Sequence, residues 1–207
     1  MNIDRSESLN SKTHLFGAVA ALSGVTVLIV LSSIQGDVWK IVSFSIYGLC
    51  LFLLYLISTL YHSSHGRYKN ILRKLDHIAI YLLIAGTYMP FTLVSLRGVW
   101  GWTLFGIIWT LAITGIVIDA VAPKGKRIVP VIIYILMGWL GLIAINPLIE
   151  SLSVAGFMWL LAGGLFYTVG IIFFVLDYKN PYYHTIWHMF VLAGSVSHFV
   201  AMYLYVL

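Results

Sequence analysis

Long apolar runs separated by short polar ones divide the chain, at 14–34, 38–61, 71–96, 99–121, 128–146, 152–176 and 184–207. A helix needs roughly 20 apolar residues to cross a hydrocarbon core of about 30 Å, and each of the seven runs is about that long. The pattern predicts an all-α membrane protein, a seven-transmembrane helix bundle. The linkers are short and hold most of the charge, and no soluble domain, low-complexity tract or internal repeat interrupts the series. The whole chain, 1–207, therefore reads as a single integral membrane domain. The first run is longer than the apolar region of a signal peptide and no A-x-A-like cleavage site follows it, so it reads as a retained anchor.

Composition agrees: 61% of residues are hydrophobic and 9% charged, against roughly a quarter charged in an average soluble domain. The net charge of +5 matters less than its placement. Arg5, Lys12, Arg67, Lys69, Arg73, Lys74, Lys124, Lys126, Arg127 and Lys179 fall on one side of the predicted bundle, and only Lys40 and Arg97 on the other. The positive-inside rule then puts the N-terminus in the cytoplasm and the C-terminus outside. Trp39, Trp100 and Trp102 fall at the outer interface, and Tyr182 and Tyr183 at the inner one. Nothing in the charge pattern suggests nucleic acid, and nothing favours one oligomeric state. The single cysteine, Cys50, lies within an apolar run, which excludes an intrachain disulfide and any CxxC motif. Pro90 is expected to kink the third helix. The pairs Gly138 with Gly141 and Gly163 with Gly164 are expected to permit close helix packing.

Candidate chemistry sits where the last run begins, at His184-Thr185-Ile186-Trp187-His188. Imidazoles four residues apart share one face of a helix at a spacing that suits one metal ion. His62 ends the second helix and Asp76 stands one or two turns into the third, so all reach the same inner leaflet. Ser58 shares the face of His62, about 6 Å deeper. Three neutral imidazoles suit Zn²⁺, and three protein ligands leave the open position of a catalytic site. On this reading His62, His184 and His188 hold the metal. Asp76 acts on the metal's water as general base and then acid, while Ser58 donates to Asp76, to that water or to a substrate oxygen. His65 and His77 read as interface residues, His198 as too deep for the metal, and Asp119 as a surface partner of Lys124, Lys126 and Arg127. His14 has the right depth but no partner on its own face.

The motifs Ser58-x-x-x-His62, Lys74-Leu75-Asp76-His77 and His184-x-x-x-His188 resemble the hemolysin III branch of the progestin and adipoQ receptor family. Asn10-Ser11-Lys12-Thr13-His14, Gly86-Thr87-Tyr88 before Pro90, and Ser197-His198-Phe199 match it too. The resemblance implies seven helices, a zinc held by His62, His184 and His188 near the inner face, Asp76 in contact with the zinc's water, and Ser58 close by. Through the related alkaline ceramidases it implies a plasma-membrane (inner-membrane) hydrolase that takes a membrane lipid, at its amide or ester, as substrate. Two alternatives belong to other classes: a sensor or regulator with a structural zinc, and a cytolytic pore-former.

Overall fold

The structure is a computed structural model that describes residues 2–121 and 128–207, and among them every regular element is helical. In order these are α1 (Asn2–Gln35), α2 (Val38–Ser63), α3 (Gly66–Pro90), a π-helical turn (Phe91–Ser95), α4 (Val99–Val121), α5 (Ile128–Trp139), a 3-10 turn (Leu140–Ala144), α6 (Ile145–Val175), a second 3-10 turn (Asp177–Lys179) and α7 (Tyr183–Tyr205). Six stretches among the described residues are long and apolar enough to cross a membrane. The fifth of them, Ile128–Val175, joins the two runs expected at 128–146 and 152–176 in 48 residues. Lys124, Lys126 and Arg127 lie outside the described residues.

That 48-residue stretch is not straight. Ser153 has φ 61° and ψ 167°, a non-helical conformation that a non-glycine residue rarely takes. Its Oγ accepts a 3.5 Å bond from the N–H of Gly156, as an N-cap side chain does for the helix that follows. Trp139 Nε1 donates to Thr168 Oγ1 at 3.1 Å, although the two lie almost equally far before and after Ser153. The chain therefore doubles back there, inside the predicted sixth run rather than in the polar gap before it.

Other ends follow from local chemistry. Gly36, at φ 69°, closes α1 in the left-handed conformation that glycine adopts without penalty. Asp37 then caps α2, its carboxylate accepting from the N–H groups of Trp39 and Lys40 at 2.9 and 3.1 Å. Pro90 lies at the end of α3, inside the apolar stretch Gly66–Ser95. There the helix widens without a break into the π-helical turn that follows, a common response to a helical hydrogen bond lost to proline.

Two boundaries differ from the sequence pattern. The third helix begins at Gly66, so Asp76 stands about 15 Å along it rather than one or two turns. The first begins at Asn2, so the polar segment before His14 is helix. It carries α1 beyond the end of α2, where Ser11 Oγ meets Ser63 Oγ at 2.7 Å and Glu7 Oε1 pairs with Lys69 Nζ at 2.9 Å. At the opposite end of the bundle, Gln35 Nε2 donates to the Leu207 carbonyl at 3.0 Å, and Arg97 lies 4.2 Å above the Trp39 ring.

The interior holds Phe44, Tyr47, Leu54, Tyr55, Leu83, Leu104 and Met202 among others, while Phe16, Ile34, Val121, Ile143 and Val154 are more than 60% exposed. An outer surface so apolar suits lipid and not water. In lipid the hydrophobic effect does not hold helices together, so close packing and interhelical hydrogen bonds must do so. Tyr55 donates to Ser195 Oγ at 2.7 Å, and Tyr167 OH lies 2.8 Å from the same oxygen, joining α2, α6 and α7.

The glycines divide. A Cβ on Gly163 would lie 2.1 Å from the His198 ring, a close approach as expected, but one on Gly138 would meet nothing within 4 Å. On Gly101 it would sit 2.0 Å from the backbone oxygen of Thr92, which has no flexible end to move aside. Gly101→Ala is therefore expected to cost about 1–3 kcal/mol. In thermal unfolding in detergent its Tm should fall, while Gly106→Ala, whose Cβ enters open space, should hold or gain up to about 1 kcal/mol from helix propensity.

Candidate metal centre

His62 stands in the last turn of α2, and His184 and His188 in the first two turns of α7. The i, i+4 spacing puts the last two on one face, and α1, packed against both α2 and α7, holds the third close to them. One nitrogen from each of the three lies within 4.8 Å of the other two. Their ring centroids form a nearly equilateral triangle, with sides of 5.0, 5.0 and 4.8 Å. His62 and His188 are buried and His184 is half-buried.

Each imidazole is held by its other nitrogen. His62 Nδ1 donates to Glu7 Oε2 at 2.6 Å, and His184 Nδ1 to Asp177 Oδ2 at 3.2 Å. His188 Nδ1 donates to the Asn10 carbonyl at 3.1 Å, with Thr13 Oγ1 at 3.3 Å. A neutral ring that donates from Nδ1 keeps a lone pair on Nε2. Nε2 of both His62 and His184 is buried with no hydrogen-bond partner among the described residues. Such orphaned acceptors are costly unless something binds them. Outer carboxylates and carbonyls that fix ring tautomer and orientation are the usual surroundings of metal-bound histidine. The residues present therefore fit a metal ion, and three imidazole nitrogens are a donor set that zinc accepts.

Of the remaining predicted residues, His14 touches this triangle. Ser58 is 1% exposed and one turn before His62, and its hydroxyl has no partner among the described residues. Asp76 is half-buried on α3, and its carboxylate is not among the donor atoms that lie within 4.8 Å of one another. His14 does have a partner, though not on its own helix: its ring stacks on that of His188, with centroids 3.5 Å apart and planes at 9°. Asp119 faces His77, whose Nδ1 lies 3.7 Å from its Oδ2.

The sequence pattern gives no role to Glu7 or Asp177, and Asn10 and Thr13 enter it only within a family motif. A signal for Glu7, Asn10 and Thr13 exists there. Ser6, Asn10 and His14 are each 3% exposed and spaced four apart, extending downward the buried stripe of Ala18, Ala21, Val25 and Leu28. The polar segment thus continues the helical period of the apolar one. Asp177 lies in a 3-10 turn, where no periodicity points to it.

Beneath the triangle, two adjoining cavities of about 80 and 100 Å³ share Thr87, Tyr88, Gly138, Trp139, Gly164 and His198. The larger reaches Phe174 and Trp187, and the Phe174 ring is 6.1 Å from that of His184. The smaller continues to Leu96, Leu104 and Leu148. An almost wholly apolar passage therefore leads from one ring below the histidines into the middle of the bundle.

Apolar helices around a buried three-histidine centre define a multi-pass membrane protein with a candidate metal site near one end of the bundle. The chain belongs to the haemolysin-III related family, whose model matches residues 4–199, in agreement with the hemolysin III resemblance of its motifs. It is 48% identical to hemolysin-3 of Bacillus cereus over 204 residues, covering 98% of this chain and 93% of that one. It is 45% identical to the hemolysin-3 homolog of Bacillus subtilis (strain 168) over 202 residues, 97% and 94% of the two chains. Monocyte to macrophage differentiation factor of Homo sapiens is 29% identical over 202 residues, 95% and 82% of the two.

Proposed function

We propose that the protein is a zinc-dependent hydrolase of a membrane lipid amide or ester, in the plasma membrane (the inner membrane of a cell that has two), with 1–207 as one integral domain. The observation that carries the reading is the set of three imidazoles, each with Nδ1 anchored, that bring one nitrogen apiece within 4.8 Å of the other two. On this reading the chain crosses the membrane seven times, with its N-terminus in the cytoplasm and its C-terminus outside. The stretch Ile128–Val175, with 48 residues, spans about 72 Å as helix, more than twice the hydrocarbon core, and its reversal at Ser153 supports two crossings.

Residues His62, His184 and His188 would hold the zinc, which when bound supplies Lewis acidity and a water of lowered pKa. Glu7, Asp177 and the Asn10 carbonyl fix the three rings. The substrate's acyl chain enters the apolar passage, and its carbonyl stops at the histidines. Asp76 takes the proton of the attacking water and returns it to the leaving amine or alcohol. Ser58 donates to the carbonyl oxygen as charge builds there. A site set inside the bundle suits a substrate drawn from the bilayer.

A second reading is favoured by one observation: the anchored triangle ties α1, α2 and α7 together, as a purely structural zinc in a sensor or regulator would. The test is metal analysis of the purified protein, followed by its action on lipid amides and esters in vesicles before and after chelation. The hydrolase reading expects close to one zinc per chain, and turnover that chelation removes and added zinc restores. Metal without turnover would favour the structural role. Vesicle leakage that persists in His188→Ala would instead favour the lytic activity that the relatives' name suggests.

A further inference from the structure

His198 lies on the wall shared by both cavities, 9% exposed, ten residues beyond His188 and so about 15 Å deeper along α7. Its Nε2 lies 3.1 Å from the carbonyl oxygen of Leu160. A carbonyl can only accept, so Nε2 carries the hydrogen, and Nδ1 of the neutral ring is left as a bare acceptor. That Nδ1 is buried and has no partner among the described residues.

The ring has no freedom to turn it elsewhere. A Cβ on Gly163 would lie 2.1 Å from His198 Cδ2 and 2.3 Å from Nε2, so the ring is pressed edge-on against α6. The neighbouring polar groups are already engaged. Thr87 Oγ1 donates to the Leu83 carbonyl at 2.8 Å, Tyr88 OH to the Met137 carbonyl at 2.8 Å, and Thr168 Oγ1 to the Gly164 carbonyl at 2.7 Å. His198, on the wall of both cavities, therefore carries an acceptor that no described residue satisfies, well below the histidine triangle.

We propose that the cavity selects an apolar chain bearing a hydroxyl part-way along its length, with that hydroxyl donating to His198 Nδ1. This rests on the reading that a lipid chain occupies the passage. It adds to that reading the class of chain: hydroxylated lipids are preferred over plain ones because only a donor satisfies the buried nitrogen. A ketone at the same place sets one acceptor against another and is disfavoured.

The test is equilibrium binding of ricinoleate, oleate and the ketone analogue of ricinoleate to the purified protein in nanodiscs. The hydroxyl of ricinoleate stands about as far from its carboxyl as His198 stands from the triangle. The readout is tryptophan fluorescence, to which Trp139 and Trp187 on the cavity wall contribute. The wild type is expected to bind ricinoleate roughly two- to tenfold more tightly than oleate, the range of one net hydrogen bond, and the ketone more weakly than either. His198→Phe should retain oleate and lose the preference, and His198→Gln, whose amide can donate to Leu160 and still accept, should keep part of it.

Equal affinities in the wild type, or a ketone bound as well as the alcohol, would overturn the proposal without recourse to any variant. The ranking should persist in His188→Ala, whose triangle is broken. A failed metal reading and a failed chain preference are then separate results.

Discussion

Purified His188→Ala is expected to carry almost no zinc, and its Tm should no longer respond to added metal. Removing His188 takes one of three converging lone pairs, and two imidazoles are a poor tetrahedral site. Its neighbour Met189, 54% exposed on the outer face, supplies the control: Met189→Ala should keep both metal and Tm. Glu7→Gln should lie between. The amide can still accept from His62 Nδ1, but the 2.6 Å contact loses its charge. Loss of an outer partner of this kind weakens metal affinity about 10- to 100-fold. Glu7→Gln should therefore bind zinc at saturating concentration and release it to a competing chelator sooner than the wild type. Equal zinc content in wild type and His188→Ala would remove the metal centre from the account. Stability measured with and without metal gives an independent reading, because a ligand that binds only the folded state raises Tm by mass action.

The gradation shows what a one-dimensional pattern can carry. The three histidines were readable because helical spacing and depth are both periodic: four residues put His184 above His188, and the ends of two apolar runs put His62 at the same level. What the pattern lost was helix that is not apolar. Residues before His14 look like a polar tail, yet they form two turns and more of α1 and supply Glu7 and the Asn10 carbonyl. Asn10 is buried and Glu7 half-buried beside the histidines and not in lipid, so hydropathy gives the wrong sign for them. His14 has no partner on its own face, and its stacking on His188 is a contact between helices that spacing within one helix does not reveal. The fold shows the reverse case. The gap between 146 and 152 is polar, with Asn146 and Glu150 in it, but the chain turns at Ser153, where an N-cap and an unusual φ are available. Polarity marked the neighbourhood of the turn, and capping chemistry fixed its place.

Asp76→Asn is the second substitution expected to have a large effect, and the two readings of the centre part on it. Asparagine keeps the size and hydrogen-bonding outline of the carboxylate but cannot take a proton near neutral pH. If Asp76 is the proton acceptor for the attacking water, lipid turnover should fall by about 10²- to 10⁴-fold, the usual worth of a positioned acid or base. Zinc content and Tm should stay at wild-type values, because the carboxylate lies outside the nitrogen set that converges within 4.8 Å. Ser58→Ala should behave alike but more mildly, with turnover down about 10²- to 10³-fold if its hydroxyl stabilises the oxyanion. Should zinc and Tm instead fall together in Asp76→Asn, the carboxylate is a ligand, the fourth position is closed, and a structural centre follows. The discriminating quantity is the ratio of metal lost to turnover lost, which is near zero for a proton carrier and near one for a ligand.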